Sequence, residues 1–176
     1  MKLTPNCITL SRFVFSFALF LTKPFSIPFT ILYLLIGLSD ILDGYLARKT
    51  GTTSKLGEKL DSAADMVFNF VLIIILYPVI KPGTEILIWI ALIALIRIAA
   101  LAVVYKKYRI PGMIHTLANK GTGLLLFLFP ILYSMFPSEY WIDLVCLAAT
   151  ISAIEEFVID LCSTEWNANR KSLFFN

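Results

Sequence analysis

Four aspartates carry the chemistry most plainly written in this chain. Asp40 and Asp43 stand in Asp40-Ile-Leu-Asp43-Gly44-Tyr-Leu-Ala47-Arg48, and Asp61 and Asp65 in Gly57-Glu-Lys-Leu-Asp61-Ser-Ala-Ala-Asp65. On a helix, residues 40, 43, 44 and 47 share one face, and so do 57, 61 and 65. Two such helices joined by a short loop can turn these faces toward each other. Gly44, Ala47 and Gly57 keep the faces thin enough for a backbone or a substrate to approach closely. Carboxylate oxygens gathered in this way suit Mg²⁺ or Mn²⁺, which keep coordination positions open for substrate phosphates. A divalent ion would also offset the repulsion among like charges. The plainer alternative is a set of solvated acids paired with Arg48 and Lys59. That alternative explains neither the doubled spacing nor the small residues between the charges.

The surroundings make those acids costly. Of the 176 residues 59% are apolar and the mean hydropathy is +0.83, against about 45–50% apolar in soluble domains. Left in hydrocarbon, four carboxylates would cost about 10–14 kcal/mol on the membrane-insertion scale. Six apolar segments are candidate spans, at residues 8–21 (short, with Ser11, Arg12 and Ser16 inside it), 27–38 (running on through the charged stretch 40–48), 61–80, 85–105, 116–136 and 140–161. Pro24, Pro28, Pro82-Gly83, Pro111-Gly112 and Pro137 mark the breaks. Pro78 and Pro130 fall near helix ends, where a bend is expected rather than a stop. The fold expected is all-α, a single domain over residues 1–176 built as an integral membrane bundle of six transmembrane helices.

Charge sets the expected orientation. The second-to-third and fourth-to-fifth connections carry Arg48, Lys49, Lys55, Lys59, Lys106, Lys107, Arg109 and Lys120, whereas the alternate connections carry only Lys23 and Lys81. The positive-inside rule puts both termini, the charged connections and the aspartates on the cytoplasmic side. The start of the chain resembles a signal peptide only superficially. Arg12 interrupts its apolar stretch and no small-x-small site precedes Lys23-Pro24, so it is expected to be retained. Cys7, Cys146 and Cys162 have neither disulfide nor zinc-ligand spacing and read as packing residues.

The aspartate stretch resembles the signature of the CDP-alcohol phosphotransferase family, D-x-x-D-G-x-x-A-R-x8-G-x3-D-x3-D, at every specified position. The resemblance implies a membrane enzyme that transfers the phosphatidyl group of CDP-diacylglycerol to a small alcohol and releases CMP. It implies Asp40, Asp43 and Asp61 as ligands of Mg²⁺ or Mn²⁺, and Asp65 as the general base that also touches metal. Gly44, Ala47 and Gly57 resemble positions lining the nucleotide pocket, and Arg48 one that binds phosphate or shapes that pocket. Pro5-Asn6-x-x-Thr9-x-x-Arg12 resembles the family's N-terminal element. Asn6, Thr9 and Arg12 share a helical face suited to the cytidine half or to packing on the second helix. A homodimer at the cell membrane is implied by resemblance, and no nucleic-acid partner is expected.

The acceptor is less legible. Lys106, Lys107, Arg109, His115 and Lys120 could meet a phosphorylated acceptor, or could anchor the membrane surface. Lys120 is the better ligand candidate, since Thr116, Asn119 and Lys120 are expected to converge near a helix start. Glycerol 3-phosphate is favoured on that basis over inositol phosphate, serine or phosphatidylglycerol. Deeper in the bundle, Arg97 is expected to pair with Glu155 or Glu156. The tail from Glu165 to Lys171, with Trp166, reads as a membrane-surface anchor. A cation transporter is the rival from another class, though the acids gather on one side and no inverted repeat is visible.

Overall fold

The structure is a computed structural model, and it describes residues 4–50, 55–109, 116–163 and 172; within these, the side chains of 4–8, 43–48, 50, 55, 56, 58, 59 and 62 are outside the description. Among the described residues the fold is all-helical: α1 (Thr4–Ala18, continued by a 3₁₀ turn at Leu19–Leu21), α2 (Ile27–Thr50), α3 (Lys55–Ile80), α4 (Thr84–Tyr108), α5 (Leu117–Met135) and α6 (Tyr140–Cys162). The charged stretch does continue α2, as expected, and α3 begins a turn and a half before Asp61. Both α3 and α5 run on past their internal prolines, Pro78 and Pro130. His115 and the 165–171 tail lie outside the described residues.

Among the described residues three helices are long and apolar enough to cross a membrane: Ala63–Ile80 within α3, Thr84–Tyr108 and Leu117–Met135. The apolar runs of α1 and α2 are shorter, at Thr9–Leu21 and Ile27–Leu42. Charge accounts for α6, whose 23 residues include Asp143, Glu155, Glu156 and Asp160. Of these acids Glu156 and Asp160 are buried, so the helix turns part of its charge inward.

The chain forms two compact units, Met1–Lys81 and Pro82–Asn176. In the first, α1 packs along both α2 and α3. Its buried stripe, Thr9, Arg12, Ser16 and Leu19, follows helical spacing but is mostly polar. The opposite stripe, Leu10, Val14, Phe17 and Leu21, is apolar and between 52% and 89% exposed. A helix with polar residues in and apolar residues out is stable where the surrounding solvent is hydrocarbon. Facing α1, α2 buries Phe29, Tyr33 and Ile36, and α3 buries Ala64, Val71, Ile75 and Leu76. A run of rings ties α2 to α3, with Phe29 stacked on Tyr33 at 6.3 Å and Tyr33 5.6 Å from Phe68.

In the second unit α6 is central and packs on α4 and α5. Ile93, Cys146 and Ala153 form its apolar core, with Ile86, Trp89, Ile96, Ile142 and Ala149 packed around them. Where the apolar packing ends, a polar cluster takes over. Arg97 donates to Glu156 at 3.0 Å, to Ser152 at 3.1 Å and to Asn119 at 3.3 Å. Asn119 also donates to Glu156 at 3.1 Å and accepts from Ser152. Arg97 therefore pairs with Glu156, while Glu155 accepts from Ser172 at 3.0 Å. Lys107 does not stand free at the surface. Its ammonium donates to the carbonyls of Asp160, Leu161 and Ser163, closing the C-terminal end of α6, and Tyr108 joins at Ser163 at 2.6 Å. A cation there meets the helix's unsatisfied carbonyls and the negative end of its dipole.

Truncating Arg97 to Met leaves Glu156 buried and uncompensated, at a cost of about 3 kcal/mol. The double variant Arg97→Met with Glu156→Met is expected to recover most of that loss. Thermal unfolding of the full chain in detergent reads both. A double variant no more stable than Arg97→Met would remove the pairing as the reason for the cost.

Candidate active site

Three of the four aspartates converge. Asp40, from the middle of α2, meets Asp61 and Asp65, from the first turns of α3, with one oxygen of each lying within 4.8 Å of the others. Helical spacing makes this possible: Asp61 and Asp65 are stacked one turn apart, and Asp40 extends the α2 stripe of Phe29, Tyr33 and Ile36. Asp43 follows Asp40 by about one turn of α2, and its side chain lies outside the described residues. The same holds for the side chains of Ala47 and Arg48, for Gly44 beside them and for Asn6 on α1. Gly57 lies half-buried one turn before Asp61.

The centre of the group is a cation from α1. Arg12 is only 2% exposed, and its guanidinium pairs with Asp40 and Asp65 through Nη1 and with Asp61 through Nη2. The contact with Asp65 measures 2.9 Å. Each carboxylate is about half exposed, at 45% for Asp40 and Asp61 and 50% for Asp65. The acids are thus open to solvent while the guanidinium they share is not. The α1 backbone behind Arg12 is braced by Ser16, whose hydroxyl donates to the Arg12 carbonyl at 2.7 Å. Thr9, one turn before Arg12, is also buried. The helical face that Arg12 shares with Asn6 and Thr9 suits the cytidine half of a nucleotide or packing on α2. A single helix face cannot reveal that the acids of two other helices converge on it.

The donor set fits a hard divalent cation. Around one ion of Mg²⁺ size, ligand oxygens lie at most about 4.2 Å apart. The three carboxylates span at most 4.8 Å, so an inward shift of about half an ångström would seat them on such an ion. Together with Arg12 these side chains carry two negative charges in excess, which a divalent cation would balance. Asp40, Asp61 and Asp65 are the residues that would hold it, with Asp43 one turn away on α2.

Lys120 is placed differently from Asn119. It is exposed on α5 in the second unit, while Asn119 turns inward to Arg97 and Glu156. Thr116 is fully buried and caps α5, accepting from the Asn119 backbone N–H at 3.1 Å. Thr116 and Asn119 thus meet at the start of α5, while Lys120 on the same turn is exposed.

Comparison with known proteins extends the pattern beyond the aspartates. Residues 2–152 match the sequence profile of the family described as CDP-alcohol phosphatidyltransferase. A CDP-diacylglycerol–glycerol-3-phosphate 3-phosphatidyltransferase of Aquifex aeolicus is 37% identical over 68 residues, 38% of this chain and 38% of that protein. A CDP-diacylglycerol–serine O-phosphatidyltransferase of Methanocaldococcus jannaschii is 56% identical over 39 residues, 22% of this chain and 19% of that protein. Each alignment spans well under half of the relative's length. No solved structure matches the chain. On the extent of the profile match, the chain belongs to the CDP-alcohol phosphatidyltransferase family.

Asp61→Asn removes one anionic oxygen from the convergent set and should weaken Mn²⁺ binding by about tenfold or more. Lys120→Ala should leave that binding unchanged. Electron paramagnetic resonance of free Mn²⁺, titrated against detergent-solubilised protein, makes the comparison. Equal affinity in Asp61→Asn and the unaltered chain would remove the cluster as the cation site.

Proposed function

We propose that this family member transfers the phosphatidyl group of CDP-diacylglycerol to a small alcohol, releasing CMP. The observation that carries this reading is the convergence of Asp40, Asp61 and Asp65 from two helices onto one partly open site, within the signature spacing. Both relatives bear names that specify CDP-diacylglycerol as donor, and those names differ in the acceptor. That difference supports the donor half more strongly than any one alcohol.

The chemistry follows from the residues. Asp65 lies at the edge of the site, half exposed, where an acceptor hydroxyl could reach it. It takes the proton from that hydroxyl as the oxygen attacks the lipid-side phosphorus. A P–O bond to the acceptor forms, the P–O bond to CMP breaks, and CMP leaves with the bridging oxygen. A divalent cation bound by Asp40, Asp43 and Asp61, with Asp65 also touching it, would neutralise the diphosphate and the departing CMP. Gly44, Ala47 and Gly57 leave room for the nucleotide, Asn6 and Thr9 border its cytidine half, and Arg48 meets phosphate or shapes the pocket.

The acceptor we favour is glycerol 3-phosphate, with inositol phosphate, serine and phosphatidylglycerol as alternatives. With Lys107 engaged on the α6 carbonyls, Lys120 is the exposed cation of α5 available to an acceptor phosphate. We further read all six helices as membrane-embedded, with the termini and the aspartates cytoplasmic, from the distribution of Lys and Arg. A homodimer accords with the family resemblance.

The test incubates purified protein with CDP-diacylglycerol, Mn²⁺ and a panel of alcohols, and measures CMP. Glycerol 3-phosphate is expected to give the largest release, and no release with any alcohol would refute the transferase reading. Asp65→Asn should lower CMP release by about 10²–10⁴-fold while CDP still binds. Normal turnover in that variant would exclude Asp65 as the base.

A further inference from the structure

The position of Arg12 bears directly on how a cation reaches the aspartates. Its guanidinium is almost wholly buried and pairs with Asp40, Asp61 and Asp65 together. Those are the same three carboxylates whose oxygens converge as a candidate metal set. The carboxylates that would hold a divalent cation are thus already paired with a cation tethered to α1. A planar guanidinium with several N–H donors suits such a role, since it bonds more than one carboxylate at once.

We propose that Arg12 is the resident counter-ion of the aspartate cluster: it holds the three carboxylates together before a divalent cation binds, and it gives up these contacts when one does. This rests on the metal-dependent reading of the site. Without a cation among them, three carboxylates this close would repel one another and splay apart. With Arg12 in place, they stay gathered, and the incoming ion meets a preassembled set. The same contacts weaken the ion's binding, because each carboxylate drawn to the ion is drawn from the guanidinium. A buried guanidinium released from its carboxylates needs another anion. The diphosphate of the proposed substrate is an anion of the right chemistry. Divalent cation and nucleotide diphosphate should then bind cooperatively, each removing part of the cost of the other. Arg12 acts here as a positioning residue, through the aspartates.

The experiment measures Mn²⁺ affinity by paramagnetic resonance on the full chain in detergent, with and without CDP, for the unaltered chain, Arg12→Met and Arg12→Lys. The unaltered chain is expected to bind Mn²⁺ weakly alone and about tenfold more tightly with CDP. In Arg12→Met the gain from CDP should shrink from about tenfold to about twofold or less, because no guanidinium has to pass from the carboxylates to the diphosphate. Arg12→Lys keeps a charge but loses the planar fork, so it should fall between the two and provides the same comparison if Arg12→Met does not fold. A gain from CDP undiminished in both variants would overturn the proposal while leaving the cation site standing. Absence of Mn²⁺ binding in every chain, with and without CDP, would overturn the proposal together with the metal reading.

Discussion

Burial of one guanidinium beneath three carboxylates is the constraint on which the first unit depends. A charge withdrawn from solvent costs several kcal/mol unless its partners are close and well placed. Arg12 meets that condition only where α1 packs along α2 and α3 at once, with Asp40 supplied by one and Asp61 and Asp65 by the other. The apolar contacts of Phe29, Tyr33, Ile36, Val71 and Ile75 bring the helices together. The ion pairs discriminate among registers, because a slide of α1 by a few residues would bury Arg12 among aliphatic side chains.

The second unit uses the same device for a different end. Its central helix, α6, also carries buried polar residues, and a guanidinium again answers them, this time Arg97 from α4. The difference lies in exposure. Glu156 is buried and shares Arg97 with Ser152 and Asn119, so this cluster is closed on itself. The aspartates of the first unit stay half open. A fastening and an opening can thus be built from the same side-chain chemistry, and access separates them.

Much of this was legible in the sequence. Apolar runs bounded by proline and glycine located the six helices to within a few residues, apart from the early start of α3, whose first turn is too polar to register as a span. The i, i+3 and i, i+4 spacing of the aspartates put their carboxylates on two faces, and Asp40, Asp61 and Asp65 do meet. What the sequence could not supply was partnership between distant elements. Nothing in the neighbourhood of Arg12 names its three acids. The carbonyls that Lys107 closes over belong to a helix end more than fifty residues away. Glu155 and Glu156 were equivalent as letters, and packing against α4 alone distinguishes them.

The inverted face of α1 has a consequence for how such a chain is made. As α1 leaves the ribosome it precedes the helices that bear its counter-charges, and a lone arginine in such a segment costs up to about 2.5–3.5 kcal/mol on the insertion scale. Its apolar run, Thr9–Leu21, is also shorter than the about 20 residues a spanning helix needs. Alone, then, this segment makes a poor client for the insertion machinery. On the proposed six-span reading, it becomes a good one only when the acidic stretch of α2 and the start of α3 have been synthesised, so α1, α2 and α3 would enter the bilayer as a group and not one after another.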